Sequence, residues 1–592
     1  MKKFIFTFVV ILACSFVQAQ KLVILHTNDM HSNLTGYGPE AEYTPLDTND
    51  QDKTIGGFSR LAGFIDKERQ QNPDNLLILD GGDFLMGTVF HTLENKTGFQ
   101  LWLMKMIGYD YVTLGNHEFD MGTDFIANAI KTAKDNNSIP QILSSQLIFD
   151  PNDKQDDLLE KLYQENVIKS YDVFIKNGIK IGIFGIIGDN AQFDAVGAKP
   201  LKFKDRIKTS KEIVDLLRNK EKCDIIICLS HSGVYPNEQE GYSFEDIQLA
   251  NKVGDIDIII SGHTHVATKN HITVGKTIIV QTGAYLQNIG RLEVELKDKK
   301  LNVVDFRLIA VDDKIQGNST IQAKIDKYKQ NINQEIFAKY NLDYDRPFAE
   351  ADFELVRSKK NNPQSGNLGW LVADAMNYYT NNNSLATHLT LVANGTIRER
   401  IFANKITPAD IFRIMPLGRG TNDFYGSSLA QIFINAQEVK KLFEMIIFAS
   451  KPGEDSYLFW SGAKVEYNPK GGFLNKVKHI YIDHKEIDFS KKNKQLYSIT
   501  ANLYLLSFVG EIKKMSKGLI VINPKDANGK LIDDINKYIL DFDKNQQGVQ
   551  EGKEWMALVE YIRTMDDRDN NGLPNISDKY NNVEKRLVKI EK

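Results

Sequence analysis

The sequence predicts an α/β protein with two large domains, and three observations lead to this prediction. The chain has 592 residues, more than one hydrophobic core usually supports, so at least two domains are expected. The first half alternates short apolar runs with amphipathic helical patterns, and the runs at 225–227 and 258–260 are apolar on both faces, as in covered parallel sheets. The second half mixes strand and helix patterns without that alternation, which indicates an α+β domain.

Domain boundaries are predicted from the element patterns. Strands of the first domain, 20–310, are predicted at 22–26, 76–79, 111–114, 181–187, 224–229, 256–260 and 277–281, with helices at 58–69 and 208–218. Residues 311–347 are predicted to be a helical linker, whose polar stretch at 320–340 connects domains without forming part of a core. The second domain is predicted to cover 348–535, with helices at 368–379 and 436–448 and strands at 389–393 and 495–500. Residues 536–592 form a C-terminal extension of unassigned structure.

The first residues resemble an export signal. Lys2 and Lys3 precede an apolar run at 4–13, and Val17-Gln18-Ala19 provides a small-residue cleavage site, so we expect cleavage after Ala19 and a location in the periplasm or at the cell surface. The alternative is a lipoprotein signal ending at Cys14, which would give a lipid anchor. The run is too short to cross a bilayer comfortably, so no transmembrane segment is expected.

Charge and cysteine content narrow the function classes. The formal net charge is −4 and no long basic run occurs, which argues against a nucleic-acid polymer as partner. Cys223 and Cys228 lie five residues apart in an apolar run, so their side chains should point to opposite faces of a strand. We therefore expect two small core residues without a disulfide between them.

Five motifs rich in histidine and carboxylate side chains lie at or just after the ends of predicted strands. They are Asp29-Met30-His31, Gly81-Gly82-Asp83, Gly115-Asn116-His117-Glu118, His231 and Gly262-His263-Thr264-His265. Ligand sites in open α/β sheets form outside the carboxyl ends of strands, so these segments are expected to converge. Imidazole, carboxylate and amide donors together favour Zn, Mn or Fe, so the motifs predict a metal site. Alternation along an extended segment would point His263 and His265 to the same side, and likewise Asp29 and His31.

The order of these motifs, D-x-H, G-D, G-N-H-E, H and G-H-x-H, resembles the calcineurin-like metallophosphoesterase family. The strings at 114–120, LGNHEFD, and 56–60, GGFSR, resemble its 5′-nucleotidase branch. In the second domain, the strings at 367–371, 394–398 and 415–418 resemble the C-terminal domain of that branch. The resemblance implies a four-layer metallophosphoesterase β-sandwich flanked by helices, then a helical linker and a second α+β domain that presents substrate to the metal cleft and rotates at the linker.

The resemblance also implies a site with two divalent metal ions, Zn, Mn or similar. Asp29, His31 and His265 would hold one ion, Asn116, His231 and His263 the other, and Asp83 would bridge both. In the mechanism implied, a metal-bridged hydroxide attacks phosphorus in line. His117 would stabilise developing charge or protonate the leaving group, and Asp120 would orient its imidazole. For Asp120 the alternative is a turn residue, and Gly82 and Gly115 can equally serve as turn formers.

Substrate-binding residues are likewise implied by the resemblance, with departures from the pattern. Asn394 and Arg398 match an element that is one glycine shorter here, and Tyr504 matches an aromatic that stacks on the base. A surface salt bridge is the alternative role of Arg398. Leu417 stands where a second stacking ring is common, Gln364 where an arginine is, and Ser507-Phe508-Val509-Gly510 replaces a G-G-D-G string. A lost stacking ring, worth about 1–3 kcal/mol, would shift substrate preference.

The implied function is hydrolysis of nucleoside 5′-monophosphates, and also of UDP-sugars or 2′,3′-cyclic nucleotides. One alternative is a metallophosphoesterase acting on a non-nucleotide phosphoester or a sulfur compound, and another is a nucleotide-binding protein without turnover. Near the end of the chain, the segment from Asp567 to Gly572, with Asp578 at position twelve, resembles a calcium loop. Its alternative is a solvated polar turn, because Pro574 interrupts the loop and position twelve is usually glutamate.

Overall fold

The computed structural model describes residues 19–591, apart from 40–41, 137–138, 240, 359–365, 421–424, 450–453, 473, 508–517, 519–520 and 583–584. Three features predicted from the sequence lie outside the described residues: the export signal up to residue 18, including Cys14, then Gln364, and then the replacement string from Phe508 to Gly510. Among the described helices none is both long and apolar enough to span a bilayer.

Two facing β-sheets form the centre of the first domain. One has seven strands in the order β17-β16-β1-β2-β3-β4-β6 and the other has six in the order β14-β15-β13-β10-β8-β7. The strands are β1 (Gln20–Thr27), β2 (Leu76–Asp80), β3 (Tyr111–Thr113), β4 (Gln141–Leu143), β5 (Leu147–Ile148), β6 (Ile168–Lys169), β7 (Tyr171–Lys176), β8 (Ile179–Ile187), β9 (Lys202–Phe203), β10 (Ile225–His231), β11 (Tyr235–Asn237), β12 (Gly241–Ser243), β13 (Ile258–Ser261), β14 (Ile272–Val274), β15 (Thr277–Val280), β16 (Asn288–Lys297) and β17 (Lys300–Ala310).

Helices cover the outer faces of both sheets, so the domain has four layers. They are α1 (Phe58–Gln71), α2 (Glu94–Thr97), α3 (Phe99–Ile107), α4 (Thr123–Asp135), α5 (Asp157–Gln164), α6 (Asp189–Asp194), α7 (Arg206–Asp215) and α8 (Glu245–Val253). The central strand β10 explains the double-sided apolar pattern. Ile225 and Ile227 pack between the sheets, whereas Ile226 and Cys228 pack against the outer helices. The predicted four-layer α/β sandwich is confirmed.

A second α+β domain follows. Its strands are β18 (Ala349–Glu350), β19 (Leu389–Ala393), β20 (Lys405–Ile406), β21 (Leu429–Asn435), β22 (Leu458–Ser461), β23 (Ala463–Tyr467), β24 (Val477–Ile482), β25 (Lys485–Glu486), β26 (Leu496–Asn502) and β27 (Leu587–Lys589). The helices from the linker onward are α9 (Ser319–Ile332), α10 (Asn367–Asn382), α11 (Pro408–Ile414), α12 (Ala436–Ala449), α13 (Leu503–Ser507) and α14 (Glu554–Ile562). Two four-stranded sheets, β21-β26-β19-β22 and β25-β24-β23-β27, organise this domain.

The linker helix α9 differs from the prediction. Ile321, Ile325, Tyr328 and Ile332 are each no more than 3% exposed, and Tyr328 stacks on Phe99 with ring centroids 4.0 Å apart. These positions recur at helical spacing and form one apolar stripe. The description of this stretch as a connector outside the core was therefore wrong: a narrow stripe was enough to anchor α9 to the first domain.

The C-terminal extension is packed into the second domain. Strand β27 pairs with β23, and Trp555 on α14 is 1% exposed and contacts the rings of Phe337 and Phe412. The indole nitrogen of Trp555 donates to the backbone oxygen of Tyr425. This segment therefore helps to hold the linker and second domain together.

A buried histidine in β1 leads to a prediction about acid stability. His26 is fully buried, neither ring nitrogen has a partner among the described residues, and burial lowers the pKa of its imidazole to about 3. An unfolded chain protonates this side chain near pH 6.5, so stability is lost as the pH falls from 6.5 toward 3, by about 1.4 kcal/mol per unit. His26→Leu should therefore lose less thermal stability than the wild type between pH 7 and pH 4.5, measured by circular dichroism. His484→Leu, in an exposed turn, should follow the wild type, and identical curves for all three proteins would contradict the prediction.

Candidate active site

The motifs predicted to converge do so at one edge of the sandwich. Strands β1, β2 and β3 are parallel neighbours in one sheet, as are β10 and β13 in the other, and each motif lies at or directly after the carboxyl end of its strand. The structure places the donor atoms in two groups, each within 4.8 Å. The groups are Asp29, His31 and His265, and Asp83, His231 and His263.

Short distances join the members of each group. In the first, His31 Nε2 lies 3.1 Å from His265 Nε2, which is 3.6 Å from Asp29 Oδ1. In the second, His231 Nε2 lies 3.0 Å from Asp83 Oδ2. The carboxamide oxygen of Asn116 lies 3.2 Å from His231 Nε2 and 3.1 Å from His263 Nδ1. Asn116 thus adjoins the second group.

Hydrogen bonds from the opposite ring nitrogens orient the imidazoles. Nδ1 of His31 donates to the backbone oxygen of Met86 at 2.7 Å, and Nδ1 of His231 donates to that of Gly81 at 2.9 Å. Because a carbonyl oxygen only accepts, each Nδ1 carries a proton and each Nε2 is directed at the cluster.

His263 has the opposite orientation because of a residue that the sequence reasoning missed. Its Nε2 donates to Asn190 Oδ1 at 3.1 Å, which leaves Nδ1 facing Asn116. Asn190 follows the carboxyl end of β8, at the same sheet edge as the motifs, and this position was the signal that could have identified it.

Left-handed backbone conformations, and not strand alternation, direct these side chains. The φ angles of Asp29, His31, Asp83, His263 and His265 are 50°, 48°, 55°, 81° and 57°. The expectation that His263 and His265 share one side was therefore wrong, and they join different groups. Non-glycine residues in this region carry strain, which often accompanies functional sites.

Two further features fix the position of Asp83. The carboxylate of Glu118 accepts hydrogen bonds from the backbone nitrogens of Asp83 and Gly115, at 3.0 and 2.6 Å. A Cβ at Gly115 would lie 2.2 Å from Asp83 Oδ1, so only glycine fits beside that carboxylate. Glu118 belonged to a predicted motif, but its supporting role was not predicted.

The electrostatics of the cluster are those of a cation site. Burial alone would raise the pKa of Asp83, but the charges of His231 and His117 hold it well below its usual range. Burial would lower the pKa of His231, but Asp83 raises it to about 10. Burial and the charge of His231 lower the pKa of His263 to about 3, and burial raises that of Asp29 to about 7. In the absence of metal ions, protonated His231 thus supplies positive charge beside the buried Asp83 carboxylate.

The donor sets fit divalent cations. Each group combines imidazoles with a carboxylate, and the carboxamide oxygen of Asn116 adjoins the second group. Such mixed nitrogen and oxygen donors suit borderline transition ions. Buried ligands whose remaining ring nitrogens are already hydrogen-bonded are typical of preformed metal sites.

His117 lies at the edge of the cluster, where the two domains meet. Its Nδ1 donates to Asp120 Oδ2 at 2.5 Å, and its Nε2 lies 4.0 Å from Asp83 Oδ2. Arg398 Nη2, from the second domain, donates to His117 Nε2 at 3.3 Å. Burial would lower the pKa of His117, but the charges of Asp120 and Asp83 outweigh it and raise the pKa. The Asp120 carboxylate therefore contacts the imidazole of His117.

The predicted substrate-binding residues have different environments. Asn394 is fully buried, and its side chain bonds to the backbone of Ser358 and to the backbone oxygen of Glu454. These bonds tie the start of the segment that carries Arg398 to the backbone of Ser358 and Glu454, and substrate binding by Asn394 stays a prediction. Tyr504 is partly buried in α13, where burial and the charges of Asp120 and Asp194 raise the pKa of its hydroxyl.

A small cavity between the domains adjoins His31. Arg398 and Leu417 of the second domain and Tyr285 of the first are among its lining residues. Tyr285 also donates to the backbone oxygen of Arg398 at 3.2 Å. The aliphatic side chain of Leu417 thus lies near the cluster. This is the position at which related proteins often have an aromatic ring that stacks on the base.

The predicted calcium loop is an exposed turn near Glu350. Asp567 accepts from the backbone nitrogens of Asn571 and Gly572, whereas Asp578 pairs with Arg568 at 2.7 Å instead of closing the loop. Among the described residues, the only grouped donor sets are the two in the first domain. Calcium binding stays a prediction.

Comparisons with known proteins agree with this architecture. Residues 22–267 match the calcineurin-like phosphoesterase family, and residues 347–516 match the 5′-nucleotidase C-terminal domain. A 5′-nucleotidase from Vibrio parahaemolyticus is 26% identical over 512 residues, which cover 79% of this chain and 81% of that protein. The trifunctional nucleotide phosphoesterase protein YfkN of Bacillus subtilis is 27% identical over 400 residues, which cover 64% of this chain and 26% of that longer protein. The crystal structure of a 5′-nucleotidase precursor from Thermus thermophilus has a TM-score of 0.65 at 18% identity, covers 97% of this chain and 100% of that one, and shows the shared fold.

Fold and site together define a metal-dependent phosphoester hydrolase of the calcineurin-like class. With its second domain included, the chain belongs to the 5′-nucleotidase family.

Proposed function

We propose that this protein is an exported nucleotidase that hydrolyses nucleoside 5′-monophosphates with two divalent ions, Zn, Mn or similar. The observation that carries the proposal is the pair of buried donor groups, the second of which contains Asp83, bordered by Arg398 from the second domain. The names of its curated relatives support nucleotides as the substrate class and do not favour the alternative of a sulfur compound or a non-nucleotide ester. UDP-sugars and 2′,3′-cyclic nucleotides are included as further substrates.

In this proposal, one ion would be held by Asp29, His31 and His265 and the other by Asn116, His231 and His263, and the Asp83 carboxylate would serve both. Bound ions would neutralise phosphate charge and lower the pKa of a water molecule for attack on phosphorus. The chain itself supplies the orientation of the ligands, because each hydrogen-bonded ring nitrogen fixes the donor at the other end of its imidazole.

His117 and Arg398 act on the phosphoester in the proposal. Arg398 can form two parallel hydrogen bonds to phosphate oxygens in place of its contact with His117. The imidazole Nε2 of His117 is then directed to the leaving oxygen, to which it can deliver a proton. Asp120 is a positioning residue, since its carboxylate holds the other ring nitrogen. Tyr504 would stack on the base.

A substrate panel tests this function. We expect the purified chain to release phosphate from AMP faster than from para-nitrophenyl phosphate, with activity abolished by a chelator and restored by Mn or Zn. A 2′,3′-cyclic nucleotide and a UDP-sugar should also be consumed, with their nucleotide products followed. Equal kcat/KM values for AMP and the simple ester would contradict the nucleotide assignment while leaving the phosphoesterase intact.

Removal of Asn190 should weaken metal binding. Asn190→Ala frees Nε2 of His263, so the ring can rotate or carry its proton on Nδ1, and loss of such support typically costs about 10–100-fold in metal affinity. Affinity would be measured by competition with a chromophoric chelator. Asn190→Asp keeps an acceptor and should restore most of the affinity, while Asn219→Ala, on an exposed helix end, is the control. Unchanged affinity in Asn190→Ala would refute the positioning role.

Three other features are proposed from the sequence. Cleavage after Ala19 would release the exported chain, with lipid attachment at Cys14 as the alternative. Domain limits at 20–310, 311–347, 348–535 and 536–592 are supported by the matched family regions and element order. Calcium bound by the exposed loop after Asp567 would be detected as a calcium-dependent rise in melting temperature.

A further inference from the structure

Helix α6 presents one face to the cleft between the domains. Asn190 on this face reaches His263 at 3.1 Å, and residues three and four positions later lie on the same side of a helix. These residues are Phe193 and Asp194. The charges of His117 and Arg398 both act on the Asp194 carboxyl, so this face borders the predicted catalytic groups.

The position of α6 is fixed by contacts at both ends. The Glu245 carboxylate accepts from the backbone nitrogens of Asp189 and Asn190, at 2.8 and 3.0 Å. After α6 the chain crosses the turn that carries His117: a Cβ at Gly197 would lie 2.1 Å from the backbone oxygen of Phe119. Side chains on the cleft face of α6 are thus held in place relative to the reaction centre.

Phe193 is the apolar member of this face. It is 69% exposed, among the most exposed large apolar side chains of the described residues, and no aromatic ring of the described part of the chain packs against it. An exposed phenylalanine alone carries little meaning. Here, however, Phe193 directly precedes Asp194 in the chain, and burial together with the charge of Asp194 raises the pKa of the Tyr504 hydroxyl. Helix α6 and Tyr504 are therefore close to each other.

We propose that Phe193 is a base-stacking residue, so that a nucleobase is held between Phe193 of the first domain and Tyr504 of the second. The inference rests on the proposed nucleotidase function and specifies how the substrate is recognised. The phosphate would lie at the donor groups beside Arg398, and the base would lie toward the cleft mouth, where the two rings are. Aromatic faces stack on any base, so purine and pyrimidine nucleotides should both be accepted.

A comparison of substrates with and without a base tests this inference. In Phe193→Ala, KM for AMP should rise about 5- to 150-fold, the range of one base-stacking contact, while KM for ribose 5-phosphate should change less than about twofold. Phe193→Trp should restore the low KM for AMP. Ile175→Ala, which removes another exposed apolar side chain on β7, is the matched control and should behave as the wild type.

Phe193→Trp provides a second readout that is independent of turnover. Its indole fluorescence should be quenched by adenosine and not by ribose. An unchanged KM for AMP in Phe193→Ala, or an equal rise for AMP and ribose 5-phosphate, would overturn the inference while leaving the nucleotidase function in place. A wild-type enzyme that shows no preference for AMP over ribose 5-phosphate would overturn the proposed function itself.

Discussion

Asp83→Asn should abolish both metal binding and phosphate release. The Asp83 carboxylate is 1% exposed and lies 3.0 Å from His231 Nε2, and its other oxygen accepts from the backbone nitrogen of His117 at 2.9 Å. A neutral carboxamide removes an anionic charge that acts on members of both donor groups, and it places a donor where an acceptor is needed. Because bound ions contribute several kcal/mol to catalysis, we expect at least about a 1,000-fold loss in kcat/KM.

Metal content and activity must be measured on the same preparation of this variant. Asp110→Asn is a matched control, since Asp110 precedes β3 at the opposite end of the same sheet and caps the backbone nitrogen of Ile78. It should retain its metal and its activity. If Asp83→Asn kept two equivalents of metal and full turnover, the proposed sharing of Asp83 by two ions would be wrong.

His117→Ala should separate catalysis from metal binding. His117 lies within 4.0 Å of Asp83 but belongs to neither donor group, so its removal should leave the metal content nearly unchanged. Loss of a general acid usually lowers kcat by about 100- to 10,000-fold. Inductively coupled plasma analysis of metal and steady-state phosphate release would measure the two properties.

Asp120→Asn tests how the His117 imidazole is held. The carboxamide can still accept from Nδ1 but lacks the negative charge, so kcat should fall less than in His117→Ala. An ester with a better leaving group, such as para-nitrophenyl phosphate, needs less protonation and should lose less activity in both variants. Full activity of His117→Ala on AMP would refute the role assigned to this imidazole.

The sequence patterns were sufficient to predict an α/β first domain and the convergence of the five motifs, whereas the four-layer sandwich was implied by the resemblance. Strands such as β10 follow from apolar residues that face different layers, and their carboxyl ends must meet at one sheet edge. The division of the ligands was implied by resemblance alone. Strand alternation failed for His263 and His265 because the backbone at both residues is left-handed and not extended.

Supporting residues were harder to predict because they act through tertiary contacts. Asn190 is 73 residues from His263 in sequence, and apart from its place after the end of β8 no neighbouring histidine marks it as part of the site. The burial of α9 was missed because its apolar stripe is narrow, and the burial of Asn394 because a motif does not reveal which of its side chains turn inward. A role for Phe193 was not predicted, because the sequence does not distinguish a single phenylalanine in a short helix from a core residue.

The most direct test of the account is a metal titration of the purified chain, stripped of ions by a chelator, with AMP as substrate. We predict negligible phosphate release without metal and a rise that ends at two equivalents of Mn per chain. Full activity of the metal-free chain, or saturation at one equivalent, would contradict the proposal that two ions act together at the donor groups joined by Asp83.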